Sequence, residues 1–320
     1  MNAVKKPLFG GRRGPGEPQL RADEYRLLRD LVSERLGIWF GPESRSSLER
    51  RLRERLNVRG LTSFADYYQL LKYSPLAGEE WDEAGDLLTT HETYFFREDY
   101  QLRAFQQELL PMLAAKPRRR IQVWSAGCST GEEAYTIAML ILESGLFDPT
   151  AGWELRVYGS DLSKKCIAAA RRGIYGPASF RATSDEARAK WFVPHEASEP
   201  AFGSGGSART VSGQAGHAGL HGVVPAARTL CHFTQMNLLD EERTQLVGRC
   251  DVIFCRNVVL YFDAAARRRV IEMFYDRLVP GGVLLLGHAE SLLNVTTAFE
   301  LLHLKEDLVY RKPLLPSSVK

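Results

Sequence analysis

The sequence predicts an α/β protein: an N-terminal all-α helical domain, then a Rossmann-like domain interrupted by a small inserted subdomain. Three observations carry this. From Arg21 to about Leu88 the apolar residues recur at helical spacing throughout. From Ile121 onward short β-branched apolar runs alternate with helical patterns, which argues for a mostly parallel sheet covered on both faces. Between about Gly173 and Leu230 that alternation breaks. A length of 320 residues suits two domains. We expect a flexible segment over 1–20, a helical domain over 21–90, a linker and helix over 91–120, a catalytic-type domain over 121–315, and the insert over 177–230.

Each element follows from its residues. Tyr25, Leu28, Val32 and Leu36 make one stripe, stopped by Gly37; Leu48, Leu52 and Leu56 make a second, stopped by Gly60. Ser63 can cap a third helix with Phe64, Tyr67 and Leu71 inward, and Trp81, Leu87 and Leu88 belong to a fourth. The second helix is rich in arginine: Arg45, Arg50, Arg51, Arg53, Arg55 and Arg59 outnumber Glu49 and Glu54. That is either a solvated face or a docking surface for an acidic partner. Thr89 to Glu98 reads T-T-H-E-T-Y-F-F-R-E, in which the aromatic residues can anchor a linker while Arg97 snorkels. The helix after it carries Leu102, Phe105, Leu109 and Leu113, with Pro111 near its end.

Ile121 to Glu133 reads I-Q-V-W-S-A-G-C-S-T-G-E-E: strand, glycine loop, helix, the opening of a nucleotide-type site. No Lys follows the last Gly, so it is not a phosphate-binding P-loop, and G-x-G-x-x-G is absent. Two carboxylates at a helix start repel a pyrophosphate but suit a cationic ligand with hydroxyls, such as S-adenosylmethionine (SAM). They also favour a helix N-terminus by charge–dipole attraction alone. A second strand, Leu155 to Ser160, ends at Asp161, placed to accept hydrogen bonds from ribose hydroxyls or to cap the next helix. In the insert, Tyr175 to Phe180 reads as a loop, Asp185 to Phe192 as a short helix, and Glu196 to Gly222 as a flexible Gly/Ser-rich loop flanked by short strands. Strands follow at Cys231 to Met236 and Asp251 to Cys255. Pro280-Gly281-Gly282 reads as a turn into a strand over Val283 to Gly287, and two last strands span Ala298 to Leu304 and Asp307 to Arg311. Glu133, Asp161, Asn237, Asn257 and Tyr261 all fall at or just past strand ends, where such sheets bind ligands.

The net charge of +3 does not by itself suggest a nucleic-acid binder. Five scattered cysteines, without C-x-x-C, suit reduced thiols in a cytosolic protein. The seven histidines have no metal-ligand spacing, so no metal is expected. No run has the length of a membrane span.

The ordered segments T-T-H-E-T-Y-F-F-R-E, V-W-S-A-G-C-S-T-G-E-E-A-Y-T-I-A, Y-G-S-D-L-S, R-R-G-I-Y, M-N-L-L-D, D-V-I-F-C-R-N-V-V-L-Y-F-D and G-G-V-L-L-L-G-H-A-E-S-L resemble those of the CheR-type chemotaxis receptor methyltransferases, from about Glu24 to Lys312. The resemblance implies a helical domain, a class I SAM-dependent methyltransferase domain and an inserted antiparallel β-subdomain. It implies cofactor contacts at His91 (where the family usually has Asn), Thr93, Arg97, Gly127, Glu133, Asp161, Asn237, Leu238, Asn257 and Val258. Arg97 and Tyr261 match the side chains placed near the transferred methyl. The implied activity is methylation of glutamate carboxylates on methyl-accepting chemoreceptors, yielding S-adenosylhomocysteine, in a cytoplasmic enzyme that meets the membrane only through its receptors. The basic second helix then faces the receptor, through Arg50, Arg53 and Arg59, and the insert can tether a receptor C-terminal peptide, although here it is longer and more Gly/Ser-rich than usual. A monomer is the default. A nucleic-acid or small-molecule methyltransferase, and a SAM-binding scaffold without activity, are the rival classes.

Overall fold

The computed structural model describes residues 18–195 and 219–314; most of the expected N-terminal segment and nearly all of the expected Gly/Ser-rich loop lie outside the described residues. The first four helices are α1 (Ala22–Leu36), α2 (Arg45–Arg59), α3 (Phe64–Tyr73) and α4 (Ala77–Leu88). Their apolar stripes meet in one core of Tyr25, Leu28, Val32, Leu48, Leu52, Leu56, Phe64, Tyr67 and Trp81. The Ser63 hydroxyl accepts from Asp66 N at 3.1 Å and starts α3.

Inside that core lies a charge cluster absent from the periodicity. Glu80 is fully buried. Its carboxylate accepts from Arg55 Nε and Nη2 at 2.7 and 2.8 Å, from Arg59 Nε at 2.5 Å and from the Tyr67 hydroxyl at 2.8 Å. Two of the six arginines of α2 are therefore internal fasteners between α2 and α4.

The helix after the linker is α5 (Asp99–Ala104) and α6 (Leu110–Ala114), joined through a π-helical stretch, Phe105–Leu109. Its continuity matches the apolar spacing. The widened stretch falls immediately before Pro111, which has no N–H to continue the regular ladder.

The main sheet and its helices follow as β1 (Arg120–Ala126), α7 (Glu132–Glu143), β2 (Glu154–Asp161) and α8 (Lys164–Arg172). The chain then leaves for a small antiparallel sheet made of β3 (Ile174–Tyr175), β4 (Phe192–Pro194) and β5 (His221–Val223), with α9 (Asp185–Trp191) between the first two. This sheet takes its first strand ahead of residue 177. Helix α10 (Pro225–Leu230) leads back to β6 (Cys231–Gln235), α11 (Glu241–Gln245), β7 (Cys250–Cys255), α12 (Ala264–Arg277), β8 (Leu278–Leu286), β9 (Glu300–His303) and β10 (Leu308–Arg311). The seven strands lie in the order β6-β2-β1-β7-β8-β10-β9, and β10 alone runs against the direction of the other six.

Pro280-Gly281-Gly282 is not a turn ahead of β8, as its composition suggests, but an irregularity within it. Pairing with β7 passes from Cys250↔Leu278 to Val252↔Val283. Gly281 N donates to Lys312 O and Lys312 N to Gly282 O, so the bulge is sewn to the last strand. Alternate side chains of β1 enter the two cores. Ile121 and Val123 pack under α7; Trp124 and Ala126 pack under α12.

The helical domain is fastened to the sheet domain beside the sheet's C-terminal ends. Trp39 N donates to Tyr261 O at 2.8 Å and Asp263 N to Gly37 O at 3.1 Å. The small sheet is held by Phe95, whose ring lies 4.8 Å from Tyr175 and 4.6 Å from Phe192, edge to face. The aromatic residues of T-T-H-E-T-Y-F-F-R-E thus do anchor the linker.

Candidate active site

The strand order diverges at β1, with β2 on one side and β7 on the other. The loops after these three strands, the linker 88–97 and the end of α1 enclose a cleft of about 1020 Å³, open to solvent. His91, Thr93, Arg97, Gly127, Glu133, Asp161, Asn237, Leu238, Asn257, Val258 and Tyr261 all line it. Residues spread over 170 positions of chain, by difference of the first and last numbers, come to one place because β1, β2, β6 and β7 end there and the linker 88–97 lines the same cleft.

The cleft is built in layers. Gly127 has φ +79, and a Cβ there would lie 2.4 Å from Val258 Cγ2; the glycine lets the first loop close against the loop after β7. Gly131 differs. It has φ +96, but a Cβ would meet Ala170 at 2.8 Å, and the residue does not line the cleft. The expected turn under a ligand is therefore Gly127 alone; Gly131 serves the packing of α7 against α8.

The two glutamates after the loop part company. Glu133 faces the cleft, accepting from the Ser125 hydroxyl at 2.6 Å and from Arg256 Nε at 2.7 Å. Glu132 points the other way and is buried, accepting from the Thr130 hydroxyl at 2.6 Å and the Ser179 hydroxyl at 2.9 Å. Burial raises the pKa of its carboxyl, while the hydroxyl donors work against that rise.

Asp161 does not cap α8; the Ser163 hydroxyl does, accepting from Cys166 N at 3.0 Å. Asp161 instead accepts from Ser129 N at 2.8 Å with one oxygen and from Ser163 N at 2.9 Å with the other. This ties the first loop to the end of β2. Burial raises its carboxyl pKa, opposed by these N–H groups and by His91.

Asn237 lines the cleft, but its side chain is engaged elsewhere, Nδ2 donating to Arg35 O at 2.8 Å and Oδ1 accepting from Leu239 N at 3.0 Å. Arg97 sits between two residues of positive φ, Phe96 at 59° and Glu98 at 55°, and donates from Nη1 to Glu92 O at 2.8 Å. Tyr261 is 41 % exposed at the cleft mouth.

Two supporting residues escaped the sequence reading. Arg256 is buried; besides Glu133, it donates from Nη1 to Arg97 O at 2.9 Å. Glu290 accepts from Asn257 N, Val258 N, Leu260 N and Gly287 N at 2.8, 2.9, 3.0 and 2.7 Å. One carboxylate thus holds a loop whose Asn257 stands at φ 59. Their signal was present: each lies inside a resembling segment, as the R of C-R-N and the E of H-A-E-S-L.

The three arginines expected at a docking surface differ in their partners. Arg50 is exposed on α2, but Arg59 is neutralised by Glu80 and Arg53 pairs with Glu49. Arg51, which had no assigned role, reaches across to Leu87 O and Thr89 O at 3.0 and 3.2 Å, beside the cleft.

Comparison with known proteins fits this geometry. Residues 23–89 match the family model described as CheR methyltransferase, all-alpha domain, and residues 91–204 and 207–308 match CheR methyltransferase, SAM binding domain. The chain belongs to the CheR methyltransferase family. Among its relatives, the chemotaxis protein methyltransferase 2 of Vibrio cholerae is 32% identical over 291 residues, covering 91% of this chain and 93% of that one. The chemotaxis protein methyltransferase of Escherichia coli is 32% identical over 280 residues, covering 87% of each. That of Pseudomonas aeruginosa, numbered 1, is 29% identical over 294 residues, covering 90% and 97%. As a CheR methyltransferase the chain is a SAM-dependent enzyme, and its cleft suits that cofactor. Glu133 and Asp161 place two carboxylates on its wall, and Gly127 lets the first loop close against Val258. Among the described residues no helix is long and apolar enough to cross a membrane.

Proposed function

We propose that this enzyme methylates glutamate side chains of methyl-accepting chemoreceptors, forming glutamyl methyl esters and S-adenosylhomocysteine. What carries the reading is the convergence of Arg97, Glu133, Asp161, Asn257 and Tyr261 on one cleft whose mouth is bordered by the helical domain. Bound SAM supplies a methyl group made electrophilic by its sulfonium. Glu133 offers negative charge to the cofactor's ammonium, Asp161 accepts from its ribose hydroxyls, and His91, Thr93, Leu238 and Val258 enclose it. A glutamate nucleophile is already ionised near neutral pH, so the protein needs no strong base and no metal for this transfer. It must align the reacting atoms, an effect worth up to several kcal/mol. Arg97 holds the substrate carboxylate and Tyr261 orients it through its hydroxyl. Arg50 is the exposed cation of α2 that meets the receptor. We place the reaction in the cytoplasm, with the enzyme acting as a monomer and without nucleic acid.

With SAM radiolabelled in its methyl group and receptor-bearing membranes, the label enters the receptor and leaves as methanol in mild base. Labelled RNA, or SAM binding without any transfer, would sink the assignment. Tyr261→Phe and Arg97→Ala lower kcat by about 100-fold or more while leaving the urea midpoint unchanged; wild-type turnover in both, at saturating SAM, removes these roles. Asp161→Ala weakens S-adenosylhomocysteine binding by about 1–3 kcal/mol, read by calorimetry, and unchanged affinity takes Asp161 out of the ribose site.

A further inference from the structure

One corner of the cleft brings together three residues that are dispersed in the sequence. His91 and Asp161 on the cleft wall and the buried Cys166 behind it offer ligand-type atoms that all lie within 4.8 Å of one another. His91 Nδ1 lies 3.2 Å from Cys166 Sγ. The orientation of the imidazole is set from behind. Its Nε2 lies 2.9 Å from Asp86 O, a carbonyl that can only accept, so Nε2 carries the proton and Nδ1 turns its lone pair toward the sulfur. A ring N–H held by a backbone carbonyl is the support that metal-ligating histidines have. Nearby charge also favours a cation. The Asp86 carboxylate is buried and its oxygens accept no hydrogen bond, although Lys165 Nζ stands 3.2 Å away as an ion pair.

We propose that His91 Nδ1, Cys166 Sγ and the Asp161 carboxylate form a binding site for a soft divalent cation, and that the cation and SAM exclude one another. An imidazole, a thiolate and a carboxylate form a mixed nitrogen, sulfur and oxygen donor set that favours Zn²⁺. Binding removes the Cys166 proton, which passes to solvent. The exclusion rests on the ribose assignment of Asp161 above: Ser129 N and Ser163 N already occupy one position on each carboxylate oxygen, so the ion and the hydroxyls compete for the positions that remain. The enzyme would then lose its cofactor as free zinc rises. The methyl transfer itself uses no metal, so the site is inhibitory.

The test uses Co²⁺ as a spectroscopic stand-in on the full-length protein. Wild type titrated with Co²⁺ develops a thiolate-to-cobalt charge-transfer band in the near ultraviolet. Zn²⁺ displaces that band, and so does saturating S-adenosylhomocysteine. Cys166→Ala lacks the band and binds Zn²⁺ more weakly by over the roughly 10–100-fold that losing an outer partner costs. It still binds S-adenosylhomocysteine as wild type does, which also shows that it is folded. His91→Asn, a second variant with its fold checked by circular dichroism, lacks the band as well. No band in a wild type that binds S-adenosylhomocysteine overturns the site, and so does a band that survives Cys166→Ala. A band that S-adenosylhomocysteine leaves untouched overturns the exclusion; the calorimetry of Asp161→Ala separately decides whether the ribose assignment has failed.

Discussion

Glu80→Ala destabilises the protein by about 3–5 kcal/mol, the cost of stripping a buried cation of its partner. The Arg55 side chain is 10% exposed and would lose both of its hydrogen bonds to Glu80. Arg59 and Tyr67 would lose theirs as well. Urea unfolding at neutral pH reads the loss, and a midpoint within error of wild type would show that the cluster contributes nothing net. The same cluster sets an acid limit. Burial pushes the Glu80 pKa up, but the hydrogen bonds from Arg55, Arg59 and Tyr67 outweigh it and bring the pKa below its ordinary 4.5. A carboxylate lowered on folding stabilises the native state fully above its unfolded value. That contribution is lost as pH falls through the folded value. The wild type therefore weakens below about pH 4.5 for this reason, and Glu80→Ala lacks that part of the acid dependence.

Arg256→Ala lowers kcat/KM by about 100-fold, the scale of loss when groups far from the chemistry let a site shift by an ångström. Arg256 touches Glu133 with one nitrogen and the Arg97 carbonyl with another, so it couples the cleft-facing carboxylate of Glu133 to the segment carrying Arg97. Without it, Glu133 keeps Ser125 but has no cationic partner at 2.7 Å. Arg256→Lys keeps the charge and loses the fork, and recovers only part of the activity. Full activity in Arg256→Ala, measured with labelled SAM, would show that the linker and the glycine loop hold their places independently.

The sheet was legible because strands such as Asp251 to Cys255 are apolar on both faces and end in polar loops. The helical domain was legible because its stripes are long and stop at Gly37 and Gly60. The bulge in β8 was not, because Pro280-Gly281-Gly282 has the composition of a turn and only the pairing with Lys312 makes it part of a strand. The cleft residues at strand ends were legible for a topological reason: parallel strands deliver their C-terminal residues to one edge. What composition could not convey was commitment. Arg59 and Arg50 are the same residue type on the same helix, yet one is bound to a buried Glu80 and the other faces solvent. Asn237 lines the cleft while its amide is occupied by Arg35. Partners 21 positions away for Arg59 and 202 for Asn237 decide such cases, and Glu290 and Arg256 likewise act through contacts outside their own element.

The Glu290 carboxylate has a consequence for how the enzyme is made. The glycine loop, Asp161 and the loop after β7 leave the ribosome well before residue 290, but the backbone of Asn257, Val258 and Leu260 has no acceptor until that residue arrives. N-terminal domains fold first during synthesis, so the helical domain stands ready while the donor seat is still open. A messenger truncated ahead of codon 290 would therefore yield a product with its helical domain formed but the loop after β7 unfastened.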